Sequence, residues 1–390
     1  MFGGTQSNDW NDVLIDDRQR IWLAGYGEGR IGEQNIEPSG DSHAVVQLLS
    51  PDGRVLWSSD RRLDTSGTDV ADALALTPQG RVVVAGRTTG SMTGAPNAGQ
   101  FDTFVAWADQ PESGGDWRIF QTGSRAPQHP QRVAVGSDGQ WHVAGYDDDH
   151  VPTNYVEAWT DPFAMRLAPA ATGNTLDLRW HRQFATPEPD LVEGLAVAPD
   201  SRSSFVSGQA TGVSRGAFIR KYDADGQALW TARYTSNALD SIRTMHAMSD
   251  GTIWIAGDVF GSFQGRMPIG QQDVFVARIA ADSGRVLMGW QFGSSAPDAL
   301  ADLNVDRDGN VYLLGETQGA MHPGTANAGA SDLFILKVSP DGQVLASRQW
   351  GTANDERARR LAVDRCGRVL AVGSTTQQGR RNGVLWYWKP

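Results

Sequence analysis

Among side chains that could do chemistry, one set recurs at a fixed place in a repeat: Asn11 and Asp12, Asp72, Gln131 and Arg132, Glu193, Arg243, Asp302, and Arg359 with Arg360. Acids and arginines gathered in one ring could hold a polar or zwitterionic ligand. They could also supply a general acid and a cation to a hydrolase or lyase acting on a polar polymer, with Asp302 or Glu193 beside Arg132 or Arg360. The blander alternative is mutual ion pairing at a wide, wet opening. A second set lies in one long segment, Tyr146-Asp147-Asp148-Asp149-His150 followed by Tyr155, Glu157 and Trp159. His150, Tyr155 and Trp159 are candidate loop contacts, the two aromatics suited to stacking on a sugar ring. Adjacent acids in an extended loop point apart, so this run predicts solvated side chains and no metal site.

What must position these residues is an internal repeat. A glycine closes the second apolar run of each unit, at Gly25, Gly86, Gly145, Gly208, Gly257, Gly315 and Gly373. A second column, Asn8, Asp69, Gln128, Asp190, Asp240, Asp298 and Glu356, precedes the first run and reads as a set of turn-builders that accept hydrogen bonds from local N–H groups. Within a unit, such as Gln291 to Trp350, four short alternating runs are joined by Asp-Gly turns and one polar loop. A period near 60 residues argues for one closed array. The expectation is an all-β, seven-bladed β-propeller of four-stranded antiparallel blades, one domain over 1–390. Its units fall near 2–62, 63–122, 123–184, 185–234, 235–292, 293–350 and 351–390. The seventh unit has only three runs before Pro390, so blade seven is expected to be incomplete, with the termini meeting there and Phe2-Gly3 supplying what remains of a fourth strand. First strands line the axis of a propeller, and the loops entering them share a face with the loops after second strands. The charged set is therefore expected at the axial mouth, where side chains of several blades converge.

The bulk numbers narrow the partners. A formal net charge of −11 without a basic stripe disfavours nucleic acid and anionic membranes. No apolar run is long enough to span a bilayer. Met1-Phe2-Gly3-Gly4 lacks the regions of a signal peptide, so an exported form would have had its signal removed. The single Cys366 excludes an intramolecular disulfide and a Cys-rich metal site. No Gly-x-Ser-x-Gly, Walker or His-Glu-x-x-His motif occurs, and no cofactor is expected.

Phe2-Gly3-Gly4, Asp306-Arg307-Asp308-Gly309-Asn310-Val311-Tyr312, Asp273-Val274-Phe275-Val276-Ala277-Arg278 and Pro340-Asp341-Gly342 together resemble the units of bacterial SBBP repeat proteins. The resemblance covers essentially the whole chain, with units three and four departing most. It implies a seven-bladed propeller and an inclination toward secreted, periplasmic or cell-surface binding proteins, but no single activity. The reading is a non-enzymatic scaffold, a monomer binding a protein, peptide or carbohydrate. The alternatives are the hydrolase or lyase above and a structural module of a larger surface protein.

Overall fold

The computed structural model of the chain describes residues 8–28, 42–59, 63–94, 96–148, 160–171, 174–184, 189–211, 216–234 and 240–390. Blade one is β1 Asn8–Ile15, β2 Ile21–Glu28, β3 Ser42–Leu49 and β4 Val55–Ser58; blade two is β5 Asp69–Leu76, β6 Val82–Thr88, β7 Asp102–Ala108 and β8 Arg118–Thr122. Blade three is β9 Gln128–Val135, β10 Trp141–Asp147, β11 Asp161–Pro169 and β12 Leu176–Gln183; blade four is β13 Asp190–Val197, β14 Ser203–Ala210, β15 Gly216–Asp223 and β16 Ala228–Tyr234. Blade five is β17 Ser241–Ala247, β18 Thr252–Val259, β19 Asp273–Ala280 and β20 Val286–Phe292; blade six is β21 Asp298–Val305, β22 Val311–Thr317, β23 Asp332–Val338 and β24 Val344–Trp350. Among the described residues blade seven has three strands, β25 Asp355–Val363, β26 Val369–Gln377 and β27 Arg380–Trp388. The chain is a seven-bladed β-propeller.

The turns explain themselves from sequence. Asp306 accepts the N–H groups of Asp308 and Asn310 at 3.0 and 2.9 Å, and Gly309 takes the left-handed conformation the tight turn needs. Blade one makes the same turn with Gln19 at φ 62°, and blade four with Ser201 at φ 55° in a turn one residue longer. The turn-builder column behaves likewise: Asp69 accepts from Thr65 N at 2.6 Å, Asp298 from Ser294 N at 2.5 Å and Glu356 from Thr352 N at 3.0 Å.

The core sits between blades. Each second strand carries large apolar residues on both faces, so a blade can bury them only against its neighbours. One buried cluster fills each of the seven junctions. The closing junction packs Trp10, Val13, Leu23 and Leu49 of blade one on Ala362, Leu370 and Val372 of blade seven. There Asn8 Oδ1 also accepts the N–H of Gly383 at 2.6 Å, Arg368 donates to Pro51 O at 2.7 Å and Arg365 pairs with Asp17, so apolar packing, hydrogen bonds and ion pairs together join the ends of the ring. The expected contribution of Phe2-Gly3 lies outside the described residues.

Candidate binding site at the axial mouth

The seven innermost strands share one irregularity. In β1, Trp10 pairs with Gly25 and Asp12 with Ala24, leaving Asn11 without a partner across the ladder. The same slip leaves out Asp72, Gln131, Glu193, Arg243, Ala301 and Arg359. Each is a one-residue β-bulge, which bends the strand and re-aims a side chain. The bulge also explains the glycine column. It presses a carbonyl of the first strand onto the second, so that a Cβ at Gly86 would lie 2.2 Å from Val70 O, and one at Gly257 1.7 Å from Ser241 O. Only hydrogen fits there.

All seven bulge residues line one cavity of about 780 Å³ at the axial mouth. The residues after the glycines join its wall at Tyr26, Arg87, Tyr146 and Glu316, and blade seven adds Arg357, Arg360 and Arg381. The cavity lining carries seven arginines against three carboxylates, in a chain whose formal net charge is −11.

Most of these charges are tethered. Arg87 Nη1 donates to Asp72 Oδ1 at 2.8 Å, and Arg243 donates to Glu193 Oε1 at 2.8 Å and to Asp258 Oδ2 at 2.5 Å. Arg359 and Arg381 approach the fully buried Asp9 at 3.3 and 3.9 Å. Two guanidinium groups instead reach across the axis to backbone. Arg132 of blade three donates to Arg243 O of blade five at 3.0 Å, and Arg360 of blade seven lies 3.5 Å from Gln131 O of blade three. They floor the cavity.

Burial pushes Asp72 up to about 6, against the pull of Arg87 and Arg359. Glu193 and Glu316 are raised for the same first reason, Arg243 and Arg132 restraining the one, and Ala358 N–H with Arg357 and Arg359 the other. Burial works against the charge of Arg243, but Asp258 and Glu193 outweigh it and hold its pKa above the usual value. Burial lowers His129, helped by Arg87 and opposed by Asp148; its ring stacks on Tyr146 at 4.9 Å.

Of the residues anticipated from sequence, Asp72, Arg132, Glu193, Arg243 and Arg360 line one cavity. Asp12 and Asp302 do not. Each directly follows its bulge residue, as Arg132 and Arg360 do, but its short carboxyl meets donors of neighbouring blades where the long arginines extend into the cavity lining. Asp12 accepts Val13 N at 2.8 Å and Leu74 N of blade two at 2.7 Å; Asp302 accepts Leu361 N of blade seven and Thr244 Oγ1 of blade five, both at 3.0 Å. Burial raises both to about 6, while backbone N–H donors and Arg132 pull the other way. Their role is to tie blades together, not to face the mouth. His150, Tyr155 and Trp159 lie outside the described residues. Arg87, Glu316, Arg357 and Arg381 were not anticipated. The usable signal for the first two was their place immediately after a column glycine. Among the described residues no three His, Cys, Asp or Glu side chains converge as metal ligands do, and no helix is long and apolar enough to cross a membrane.

No known family model matches the chain, and no curated protein is similar to it in sequence. Its fold, by contrast, is shared with many solved structures. The β-propeller domain of Myceliophteria thermophila Cps50 (Swd1) matches over 100% of both chains with a TM-score of 0.55 at 11% identity. Saccharomyces cerevisiae Sqt1 matches with a TM-score of 0.53 at 8% identity, over 100% of this chain and 98% of its own. Pyrococcus horikoshii acylaminoacyl peptidase matches over 98% of this chain and 51% of its own, with a TM-score of 0.52 at 10% identity. At such identities the likeness establishes the propeller and nothing about chemistry.

Proposed function

We propose that the chain is a ligand-binding propeller, a non-enzymatic monomeric scaffold whose binding site is the axial mouth. The observation that carries this reading is the convergence of all seven bulge residues on one polar cavity, floored by Arg132 and Arg360. A bulge that served only strand curvature would need no functional side chain. Six of the seven positions nevertheless hold Asn, Asp, Gln, Glu or Arg. Solved structures of this fold include a propeller domain and a peptidase, so the fold itself leaves both a binding and a catalytic role open. The resemblance of the units to SBBP repeats, and with it a bacterial, exported or surface setting, belongs to the same proposal. The test is the thermal midpoint with acidic and basic peptides, neutral and acidic sugars, and citrate. A ligand at about 100 times its Kd stabilises by about 2.7 kcal/mol. A tenfold weaker affinity leaves about 1.4 kcal/mol, so the shift is expected to fall to about half or less in Asp72→Asn and in Arg359→Met; a ligand whose shift is unchanged in both variants refutes the site.

A second reading, the hydrolase or lyase, draws on Asp72 and Glu193 facing one cavity with raised pKa values. It moves the acid role from Asp302 to Asp72. Turnover of a polar polymer that Glu193→Gln and Asp72→Asn each abolish would establish it. Against it, each acid is already bound by an arginine.

A further inference from the structure

We propose that the outer edge of β27 is a docking site for a partner polypeptide that adds an extended, proline-free strand bearing a tryptophan. The inference does not depend on the mouth. Among the described residues β27 pairs only with β26, so the N–H and C=O groups along its other side form an unpaired sheet edge. A further strand satisfies such an edge with main-chain hydrogen bonds, and proline would remove a donor from the ladder. Counted back from Asn8 as Trp350 is from Glu356, Met1 and Phe2 correspond to the positions opposite Val384 and Gly383. The position opposite Tyr387 falls outside the 390 residues by the same count.

The other blades show what this edge takes. In blades one, three and four the outer strand places Trp57, Trp180 and Trp230 opposite Leu48, Arg166 and Lys221 of the third strand. Tyr387 stands at that same third-strand position, three residues after the partner of the column glycine. Each of the three tryptophans covers the connection between third and fourth strands in the next blade. Trp57 meets Trp117 of blade two with ring centroids 6.3 Å apart. A Cβ at Gly226 of blade four would lie 2.7 Å from the Trp180 ring, and one at Gly284 of blade five 3.1 Å from the Trp230 ring. Beside blade seven the corresponding turn is Ser50 to Arg54 of blade one, closed by Gly53 N on Ser50 O as the blade-four turn is by Gly226 N on Asp223 O. There a Cβ at Gly53 meets nothing within 4 Å among the described residues. Ala224 O of the blade-four turn accepts both Arg166 Nη1 and Trp180 Nε1, whereas Pro51 O, its counterpart, accepts Arg368 Nη1 at 2.7 Å and keeps a lone pair for an indole N–H. Tyr387 itself is 57% exposed, against 0% for Leu48 and 8% for Arg166 at the same position. Edge, exposed ring and uncovered turn lie together where three other blades seat a tryptophan-bearing strand. The occupant that matches all three features is such a strand, antiparallel to β27, with its indole over Gly53.

The experiment is calorimetric titration of the full chain with a capped peptide of the sequence Gln227 to Tyr234, the outer strand of blade four. The expected result is binding with a Kd below about 100 μM, accompanied by slowed amide exchange within Leu385 to Trp388. Peptides carrying Trp230→Ala or Thr231→Pro are each expected to bind about tenfold or more weakly. In the protein, Gly53→Ala puts a Cβ where the indole would lie and Tyr387→Ala removes its cross-strand neighbour; each, with an unchanged circular dichroism spectrum, is expected to weaken binding about tenfold or more. The peptide variants test the same contact without touching the fold. No binding up to about 1 mM overturns the proposal. So does binding that the Trp230→Ala peptide and Gly53→Ala both leave unchanged, or protection confined to segments other than β27. A dimer in sedimentation that the peptide dissociates gives the edge to a second copy of the chain and likewise overturns the partner.

Discussion

Asp72→Asn should gain stability relative to the wild-type chain as pH rises from 4 to 8, while it damages the site. The Asp72 carboxyl is buried at the cavity wall with one oxygen on Arg87 and the other unmet, and it titrates near 6 instead of 3.8. The folded chain therefore holds this proton more tightly than the unfolded chain does. Its contribution to stability is fully present below about pH 4, is lost as pH rises from about 4 to 6, and stays lost above that. At about 1.4 kcal/mol per pH unit the loss comes to about 3 kcal/mol. Asparagine has no such titration, so the stability of Asp72→Asn relative to wild type should improve by about 3 kcal/mol between pH 4 and 8. With an unfolding entropy of about 2.1 cal/mol/K per residue over 390 residues, this corresponds to a change of about 4 °C in the difference between thermal midpoints. The assay is a pair of calorimetric scans at each pH from 4 to 8, supported by urea midpoints with unchanged slope. A difference that does not move with pH would mean that Arg87 fully compensates the burial. A wild-type advantage that grows with pH would refute the reasoning outright, because the carboxylate would then be stabilised in the fold. The predicted outcome fits a residue kept for binding at a cost in stability.

Three further outcomes follow from the same geometry. Gly86→Ala forces a Cβ to within 2.2 Å of Val70 O and 2.5 Å of Phe104 Cζ and should cost about 3 kcal/mol or more, whereas Gly53→Ala, in open space at φ 86°, should cost only about 1–2 kcal/mol; thermal midpoints compare them. Arg132→Met removes a donor from Arg243 O and the cation beside Asp12 and Asp302, so the pH-dependent fall in stability should extend to higher pH, read from urea midpoints between pH 5 and 8. Affinity for a cationic mouth ligand should weaken as pH falls through about 6, where Asp72 takes up a proton and loses its negative charge; titrations at pH 5 and 8 measure it, and equal affinities would contradict it.

Much of this fold was legible because its demands are local. An Asp-x-x-Gly turn needs a side-chain acceptor and a left-handed residue within four positions, and both stand in the sequence at Asp306 and Gly309. The inter-blade core was legible too, since strands apolar on both faces can only be sandwiched. The site was half legible. Counting to the start of each first strand located the mouth, yet it could not separate Asn11 from Asp12, or Ala301 from Asp302. A bulge shifts alternation by one residue, and so decides which of two adjacent side chains faces the cavity. Asp12 and Asp302 consequently became cross-blade acceptors. The arginines that floor the cavity were read as mouth charges, because nothing in a sequence says that a long side chain will cross an axis to a carbonyl two or three blades away.

The bulge supplies a spacing rule that ties fold to site. The unpaired residue stands fourteen positions before the column glycine in six blades and fifteen in the fourth, where the turn is one residue longer. The glycine is fixed by the carbonyl pressed against it, and the residue paired with it is buried, as Leu300 is at 3% exposure. The bulge side chain itself is bound by neither constraint, so its identity can vary freely: Asn, Asp, Gln, Glu, Arg, Ala and Arg around the ring. Ala301 is the one position of the seven without a functional group, and it tests the rule. Ala301→Gln should change stability by no more than about 0.5 kcal/mol while altering affinity for mouth ligands. Leu300→Gln, one residue earlier, should cost about 3 kcal/mol or more by burying an unsatisfied amide and losing apolar packing. Urea unfolding of the two variants decides the matter. If Ala301→Gln is as damaging as Leu300→Gln, the bulge is a structural knot and the mouth residues are not free to specify a ligand.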